Sequence, residues 1–322
     1  MENSTQTVVK TFILLGLSNV SSLQVVFSLL FIFMYLVIVS GNFILIIFVL
    51  LNPRLQTPMY FFLTNLAVID ICFSSTVVPK ILITTLSRDK SISFFGCAAQ
   101  LYLHLALGGS ECLLLAVMSY DRYIAICKPL QYNTIMGKRF CLNLIGGCWI
   151  ASFFNSFLLT LYTFQLPFCR SNIIEHFFCE MPPLFHLSCA DTWFNELAKY
   201  ISVGLIVLGS FLLILMSYLY ITLAILKIRS NKQRQKAFST CASHLTVVTL
   251  YYGAIMFMHL RPHYAYSPEQ DRVVTILYTV VTPMLNPIIY SIRNKDVKKA
   301  IRRTMSSLIP YLVHIYTTVF FF

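Results

Sequence analysis

The chain has 322 residues, of which 57% are hydrophobic and only 11% are charged, and its mean hydropathy is +0.74. A soluble globular domain carries about 25% charged residues, so this chain has too few to cover a surface that faces water. The net charge of +12 does not indicate nucleic-acid binding, because the basic residues form short clusters between long apolar runs. That distribution is typical of an integral membrane protein.

Seven apolar stretches are long enough to cross a bilayer, which takes about 20 mostly apolar residues. We predict these spans at Val25–Leu50, Met59–Leu82, Cys97–Ile126, Cys141–Leu166, Leu197–Leu226, Phe238–Leu260 and Val273–Ile292. The predicted fold is all-α, a bundle of seven transmembrane helices. Residues 1–24 precede the bundle at 25–292, and residues 293–322 follow it as a short basic amphipathic helix and an apolar tail.

The distribution of lysine and arginine predicts how the bundle is oriented. The loops after the first, third, fifth and seventh spans hold most of the basic residues, whereas the segment Pro167–Glu196 is mainly acidic. The N-terminus is therefore predicted to be extracellular, and the amphipathic helix and tail are predicted to be cytoplasmic. An extracellular N-terminus would allow glycosylation of Asn3 in the sequon Asn3-Ser4-Thr5.

Four cysteines fall on the predicted outer side, where disulfides persist: Cys97, Cys169, Cys179 and Cys189. Four cysteines permit three pairings, and the residues alone do not choose among them. A bond from the start of the third helix to the long loop would hold that loop across the mouth of the bundle. The alternative use of Cys179 is a soft-metal site with His176 and Glu180, which would require a free thiolate.

Four stretches carry a more specific signal than hydropathy does. They are Pro58–Leu63 with Asp70 beyond it, Met118–Cys127, Lys236–Leu245, and Pro283–Tyr290 running into Ser291–Asn294. In this order they resemble the diagnostic motifs of the olfactory receptors, within the rhodopsin-like G-protein-coupled receptors, and most closely the class expanded in tetrapods. The pair Gly41-Asn42 and the stretch Phe12–Leu17 fit the same pattern. The resemblance covers Phe12 to Arg303 and implies the disulfides Cys97–Cys179 and Cys169–Cys189.

The resemblance implies a plasma-membrane receptor that binds a small odorant and activates a stimulatory heterotrimeric G protein, which raises cyclic AMP. Its partners would be the odorant, the G protein and membrane lipids, with no nucleic acid. The alternatives are a peptide or lipid receptor of the same superfamily and, with less support, a transporter, which would show internal repeats with broken helices. An enzyme is not expected, because no His-Glu-x-x-His, phosphate loop or nucleophile elbow occurs.

The triplet Asp121-Arg122-Tyr123 places a carboxylate beside a guanidinium at the predicted cytoplasmic end of the third helix. An ion pair between these neighbours would hold Arg122 closed, and its release would free a five-donor fork for the G protein. The alternative is an interfacial charge cluster with no switching role. The other residues predicted to belong to the G-protein switch are Tyr218, His244, Asn286, Pro287 and Tyr290.

Asp70 and Glu111 are the two carboxylates deepest in the predicted spans, where an unpaired charge is costly. The resemblance places Asp70 near Asn42 and Asn286, with Glu111 facing it. Two interpretations stay open: a sodium ion shared by the two carboxylates, or protonated carboxylates in a polar network. Beyond that sodium ion, no cofactor is expected.

A ligand site in such a bundle lies between the helices in the outer half, with a mostly apolar lining and a few polar groups. The candidates from the third and fifth spans are His104, Leu105, Gly108, Gly109, Cys112, Ser202, Ile206 and Val207. Those from the sixth and seventh are Tyr252, Ile255, Met256, His259, Ile276 and Thr279. None of these candidates is charged, which favours a neutral volatile. His104, Ser202, Tyr252 and His259 are the predicted hydrogen-bonding groups, and ordinary helix packing is the alternative for each candidate.

Overall fold

The computed structural model describes residues 9–16, 21–87, 89–169, 171–260 and 268–293. Within these ranges the helices are α1 (Ser21–Leu51), α2 (Pro58–Leu86), α3 (Phe94–Cys127), α4 (Tyr132–Ile135), α5 (Lys138–Phe164), α6 (Met181–Leu187), α7 (Trp193–Leu226), α8 (Asn231–Leu260), α9 (Pro268–Ile276) and α10 (Thr282–Arg293). A π-helical turn, Leu277–Val281, connects α9 to α10 without a break. The predicted amphipathic helix and the Asn3 sequon lie outside the described residues.

Seven of these elements are long and apolar enough to cross a membrane: α1, α2, α3, α5, α7, α8 and the continuous α9–α10. The predicted seven-helix bundle is therefore confirmed. Several helices are longer than their apolar stretches, and α8 begins at Asn231 rather than at the predicted Phe238. A helix of 30 residues is about 45 Å long, against about 30 Å of hydrocarbon, so its polar end extends beyond the bilayer core.

The helix α3 lies at the centre of the bundle. In its most apolar window 61% of the residues are buried, against 17% for α7. Its first turn is capped by the Ser93 hydroxyl, which accepts a hydrogen bond from the Gly96 N–H at 3.1 Å. Because α3 packs against α2, α5 and α7, the polar side chains along it face the interior of the bundle rather than lipid.

A small sheet at one end of the bundle ties the N-terminal segment to the loops. The strands β1 (Thr11–Leu14), β2 (Ser91–Ser93) and β3 (Ile173–Ile174) form it in the order β2-β1-β3. β1 is antiparallel to β2 and parallel to β3. Phe12 and Leu14 alternate with exposed residues along β1 and are fully buried, as expected for a strand with one face on a core.

The same end carries the two disulfides that the resemblance implied. Cys97, in the first turn of α3, is bonded to Cys179, and Cys169 is bonded to Cys189, with Cα–Cα distances of 5.5 Å and 5.8 Å. The predicted pairing is confirmed, and we call this end of the molecule the disulfide end. The short helix α6, which the sequence analysis treated as loop, begins two residues after Cys179. The soft-metal alternative for Cys179 is contradicted because its sulfur is in a disulfide.

Two features bring α10 close to its neighbours. A Cβ built on Gly41 of α1 would lie 3.1 Å from Pro287 Cγ, so glycine is what allows the two helices to approach there. The π-helical turn ends just before Pro283, which has no N–H to donate to the carbonyl of Thr279, so the regular helical ladder is interrupted. Asn42 donates to the Pro283 carbonyl at 3.2 Å and holds α1 against this irregular segment.

Candidate functional site

A cavity of about 260 Å³ lies inside the bundle, below the loop at the disulfide end. α3 contributes one wall, with His104, Leu105, Gly108, Gly109 and Cys112. The other walls come from α2, α5, α7, α8 and the π-helical turn, and include Phe73, Asn155, Ile206, Val207, Tyr251, Ile255 and Tyr278. Gly108 keeps its wall open: a Cβ there would meet Phe73 and the Tyr251 hydroxyl at ordinary contact distances, so a larger side chain would enter the cavity.

The polar groups of the inner half of this cavity bond mainly to one another. The Tyr278 hydroxyl lies 3.3 Å from His104 Nε2. Tyr251 donates its hydroxyl to the Gly108 carbonyl at 2.9 Å. Gly109 packs against Ser152 of α5, whose hydroxyl donates to the Ala106 carbonyl at 2.7 Å. The inner half is therefore a mostly apolar space whose polar edges are satisfied within the protein.

The outer half of the cavity carries charge, although none of the candidate residues predicted from the sequence is charged. Glu180, Glu196, Lys199 and Asp271 all line it. Lys199 and Asp271 are only 8% and 5% exposed. The candidate list did not include these residues because the cavity extends up to the helix ends and to the residue that follows Cys179.

Burial dominates the electrostatics of Glu180. It raises the pKa of this carboxyl to about 7, the Asp271 carboxylate raises it further, and the Lys199 ammonium opposes both. His176, on the same loop, lies 3.8 Å from the Glu180 carboxylate, and burial lowers the pKa of its imidazole to about 3. At neutral pH His176 is therefore uncharged, while Glu180 is divided between its two forms.

We expect this proton to make stability depend on pH. The folded chain holds the Glu180 proton up to a pKa of about 7, whereas the usual value is 4.5. The stability that it contributes is full below pH 4.5 and is lost as the pH rises to about 7. The measurement is the unfolding temperature of the purified protein from pH 4.5 to 8, for wild type and Glu180→Gln. The wild-type value should fall relative to the variant across this window, and parallel curves would contradict the expectation.

A second polar cluster lies deeper in the bundle, around Asp70 and Glu111, and both residues are fully buried. Asn286 donates to the two oxygens of Asp70 at 3.1 Å and 2.9 Å. Among the described residues neither oxygen of Glu111 has a hydrogen-bond partner, and the same holds for Asn42 Oδ1 and Asn286 Oδ1. These are hard oxygen ligands, the type that a sodium ion prefers, so the residues present fit such an ion. No group of three His, Cys, Asp or Glu residues with metal-binding geometry occurs in the described ranges.

The third cluster lies at the opposite end of the bundle, around Arg122. Asp121 accepts a hydrogen bond from the Tyr132 hydroxyl of α4 at 2.8 Å. No ion pair within 4.0 Å joins Asp121 to Arg122, although both are in the described part, so the predicted pairing of these neighbours is wrong. Adjacent residues on a helix point in different directions, which lets a side chain from α4 take the carboxylate instead.

Other predicted switch residues lie at the same end of the bundle as Arg122. The Tyr218 hydroxyl lies 2.8 Å from His244 Nδ1, joining α7 to α8 in a buried contact. Tyr290 is buried, and its hydroxyl has no partner among the described residues. Tyr123 faces α7, with its ring 5.9 Å from that of Tyr220. Asn286 and Pro287 belong to the same helix as Tyr290 but contact the deeper cluster and α1, as described above.

Comparison with known proteins shows which protein family the chain belongs to. A family model described as olfactory receptor matches residues 31–307. The chain belongs to the olfactory receptor family. It is 47% identical to human olfactory receptor 2G6 over 302 residues, which is 94% of this chain and 96% of the relative. Human olfactory receptor 5I1 and mouse olfactory receptor 5AR1 are each 46% identical over 303 residues, 94% of this chain and 96% and 98% of the relative. As a member of this family the chain is a multi-pass membrane protein and not an enzyme.

Most of the predicted pocket residues of this olfactory receptor line the cavity. They are His104, Leu105, Gly108, Gly109, Cys112, Ile206, Val207 and Ile255. Two predicted polar groups are engaged elsewhere: Ser202 donates to Asn155 Oδ1, and the Tyr252 hydroxyl lies 3.1 Å from the Cys112 carbonyl and 2.7 Å from Ser210 Oγ. Thr279 donates to the Thr275 carbonyl at 2.7 Å.

Met256 and Ile276 pack into apolar clusters and are outside the cavity lining. The side chain of His259 lies outside the described residues. Phe73, Tyr251 and Tyr278 line the cavity but were not predicted from the sequence. Helical spacing alone placed Tyr252 in the site instead of its neighbour Tyr251, because a sequence does not fix the rotation of a helix about its axis.

Proposed function

We propose that this olfactory receptor binds a small neutral volatile in the cavity at the disulfide end and activates a stimulatory heterotrimeric G protein, raising cyclic AMP. The observation that carries the proposal is the cavity of about 260 Å³, mostly apolar in its inner half and formed by helices that also extend to Arg122. That volume suits a ligand slightly smaller than those of typical small-molecule sites, which measure about 300–1,000 Å³. It is too small for a folded peptide, the alternative ligand within the superfamily.

The proposal includes the location of the receptor and its orientation. In the plasma membrane, the disulfide end would face the outside, because disulfides persist in oxidising surroundings. The Arg122 end would face the cytoplasm, in agreement with the basic residues of the loops on that side. An odorant would then enter from outside, and the G protein would bind at the other end.

A sodium ion would fit within the cluster around Asp70 and Glu111 as a support of the resting state. Asp70, Glu111 and the amide oxygens of Asn42 and Asn286 would hold it. When bound it would supply positive charge between two buried carboxylates, which are otherwise costly to ionise. Asn286 already contacts Asp70, so movement of α10 would disturb the same ligands.

The test is a cyclic-AMP screen of a panel of neutral volatiles on cells that express the receptor, with surface staining alongside. For an agonist found in this way, Gly108→Val should lower its potency about ten- to a hundredfold, because the added side chain enters the cavity and overpacking costs about 1–3 kcal/mol. Gly147→Val is the matched control. It makes the same change at an exposed glycine of α5, where a Cβ added to the glycine would have no neighbouring heavy atom within 4 Å. Equal losses in both variants would place the ligand elsewhere.

A further inference from the structure

Lys199 is a buried cation in the wall of the cavity. It lies in the second turn of α7 and is only 8% exposed. Within the described ranges its ammonium has neither a hydrogen bond nor an ion pair within 4.0 Å, and its recorded contact is with the ring of Tyr200, whose centroid is 4.7 Å away. An ammonium has three N–H donors to offer. These donors are available to a molecule in the cavity.

The other polar groups near the cavity are less available. His104 is close to Tyr278, Tyr251 donates to Gly108, and Ser202 donates to Asn155. A ligand that competed for any of these groups would have to break an existing contact. A hydrogen bond from Lys199 to the ligand would form without breaking an existing hydrogen bond.

The charges around Lys199 decide what kind of acceptor fits. The acidic side chains of Glu180, Glu196 and Asp271 line the same outer half, and their negative charge attracts the ammonium. Because they outnumber the ammonium, they would repel a ligand that carries a carboxylate of its own. An uncharged oxygen acceptor meets the donor without this repulsion.

We propose that the ε-ammonium of Lys199 is the polar anchor of the cavity and donates a hydrogen bond to the carbonyl oxygen of a neutral aldehyde, ketone or ester. The apolar part of the ligand lies in the inner half, between Phe73, Gly108 and Ile206. This assignment rests on the proposed function for the identity of the site. It adds the class of ligand and the residue that recognises the ligand.

The experiment measures binding without the G protein. Straight-chain aldehydes and methyl esters of graded length, with the corresponding carboxylates and primary amines, are titrated against the purified receptor in detergent, and the rise in unfolding temperature gives the dissociation constant. The receptors are wild type, Lys199→Met, Lys199→Gln and the control Lys227→Met, an exposed lysine at the other end of α7. Lys199→Gln keeps an N–H donor without the charge.

For the aldehydes and esters we expect Lys199→Met to weaken binding about tenfold or more, the usual effect of losing a hydrogen bond to a charged group. Lys199→Gln should recover part of this loss, and Lys227→Met should bind as wild type does. The proposal is overturned if Lys199→Met binds them as tightly as wild type, if carboxylates or amines bind better than the methyl esters, or if no carbonyl compound binds. Lys199-dependent binding without a cyclic-AMP response would instead contradict the proposed function and leave the anchor standing.

Discussion

Replacing Arg122 with alanine is expected to reduce agonist-stimulated cyclic AMP to the basal level while leaving agonist binding unchanged. The guanidinium acts electrostatically on His244, Tyr218 and Tyr290, residues of three different helices, at the end of the bundle opposite the cavity. Its Nε is buried without a hydrogen-bond partner among the described residues, so a donor is available there when the helices move apart. Among the amino acids only arginine offers five donors in a rigid fork to the carbonyl groups of a partner.

The control for this prediction is Arg139→Ala, which removes an exposed arginine near the same end of the bundle. The measurements are cyclic AMP, surface staining, and binding as a rise in unfolding temperature. Arg139→Ala should leave both signal and binding close to wild type. A normal cyclic-AMP response from Arg122→Ala at equal surface level would show that coupling does not pass through this residue.

Breaking the Cys97–Cys179 disulfide is expected to have the largest effect on stability. This bond joins residues separated by 82 positions, and the loop-closure relation gives about 4.5 kcal/mol for a bond of that span. The Cys169–Cys189 bond, with a separation of 20, gives about 3 kcal/mol by the same relation. Cys179→Ser also releases Glu180 and α6 from the start of α3, so the outer half of the cavity loses its cover.

The experiment compares Cys179→Ser, Cys189→Ser and Cys72→Ser, the last of which removes an exposed free cysteine of α2. Surface staining and the unfolding temperature should fall most for Cys179→Ser, less for Cys189→Ser and hardly at all for Cys72→Ser. The reverse order of the first two variants would contradict the loop-closure argument and point to local packing around Cys169–Cys189 as the stronger restraint.

The sequence was sufficient for the bundle because the bilayer requires each span to be helical and about 20 residues long. The sequence was not sufficient to predict the small sheet and the disulfides at the disulfide end of the bundle. The strand pair Thr11–Leu14 with Ser91–Ser93 joins segments that are distant in the chain and only a few residues long, and hydropathy carries no signal for such a pairing. The disulfides were predicted from a family resemblance, since spacing alone permitted three pairings.

The sequence predicted only part of the cavity lining, because helical spacing shows which residues share a face but not which neighbours meet that face. Helical spacing identified the α3 face at His104, Gly108 and Cys112 because residues three and four apart share a side of a helix. It could not show that the π-helical turn would bring Tyr278 to the cavity, nor that Asp121 would bond to Tyr132. Lys199 was overlooked because a lysine near the end of a span is usually taken as a residue that reaches the membrane interface.

In the proposed function, a small molecule in the cavity acts on a G protein at the other end of the same bundle. The most direct measurement is guanine-nucleotide exchange on a purified stimulatory G protein, with the purified receptor in lipid vesicles and an odorant as the only other component. We expect the odorant to accelerate exchange by the wild-type receptor, Gly108→Val to require more odorant for the same rate, and Arg122→Ala to give no acceleration. An odorant that binds the wild-type cavity and leaves the exchange rate unchanged would contradict coupling between the cavity and the G protein.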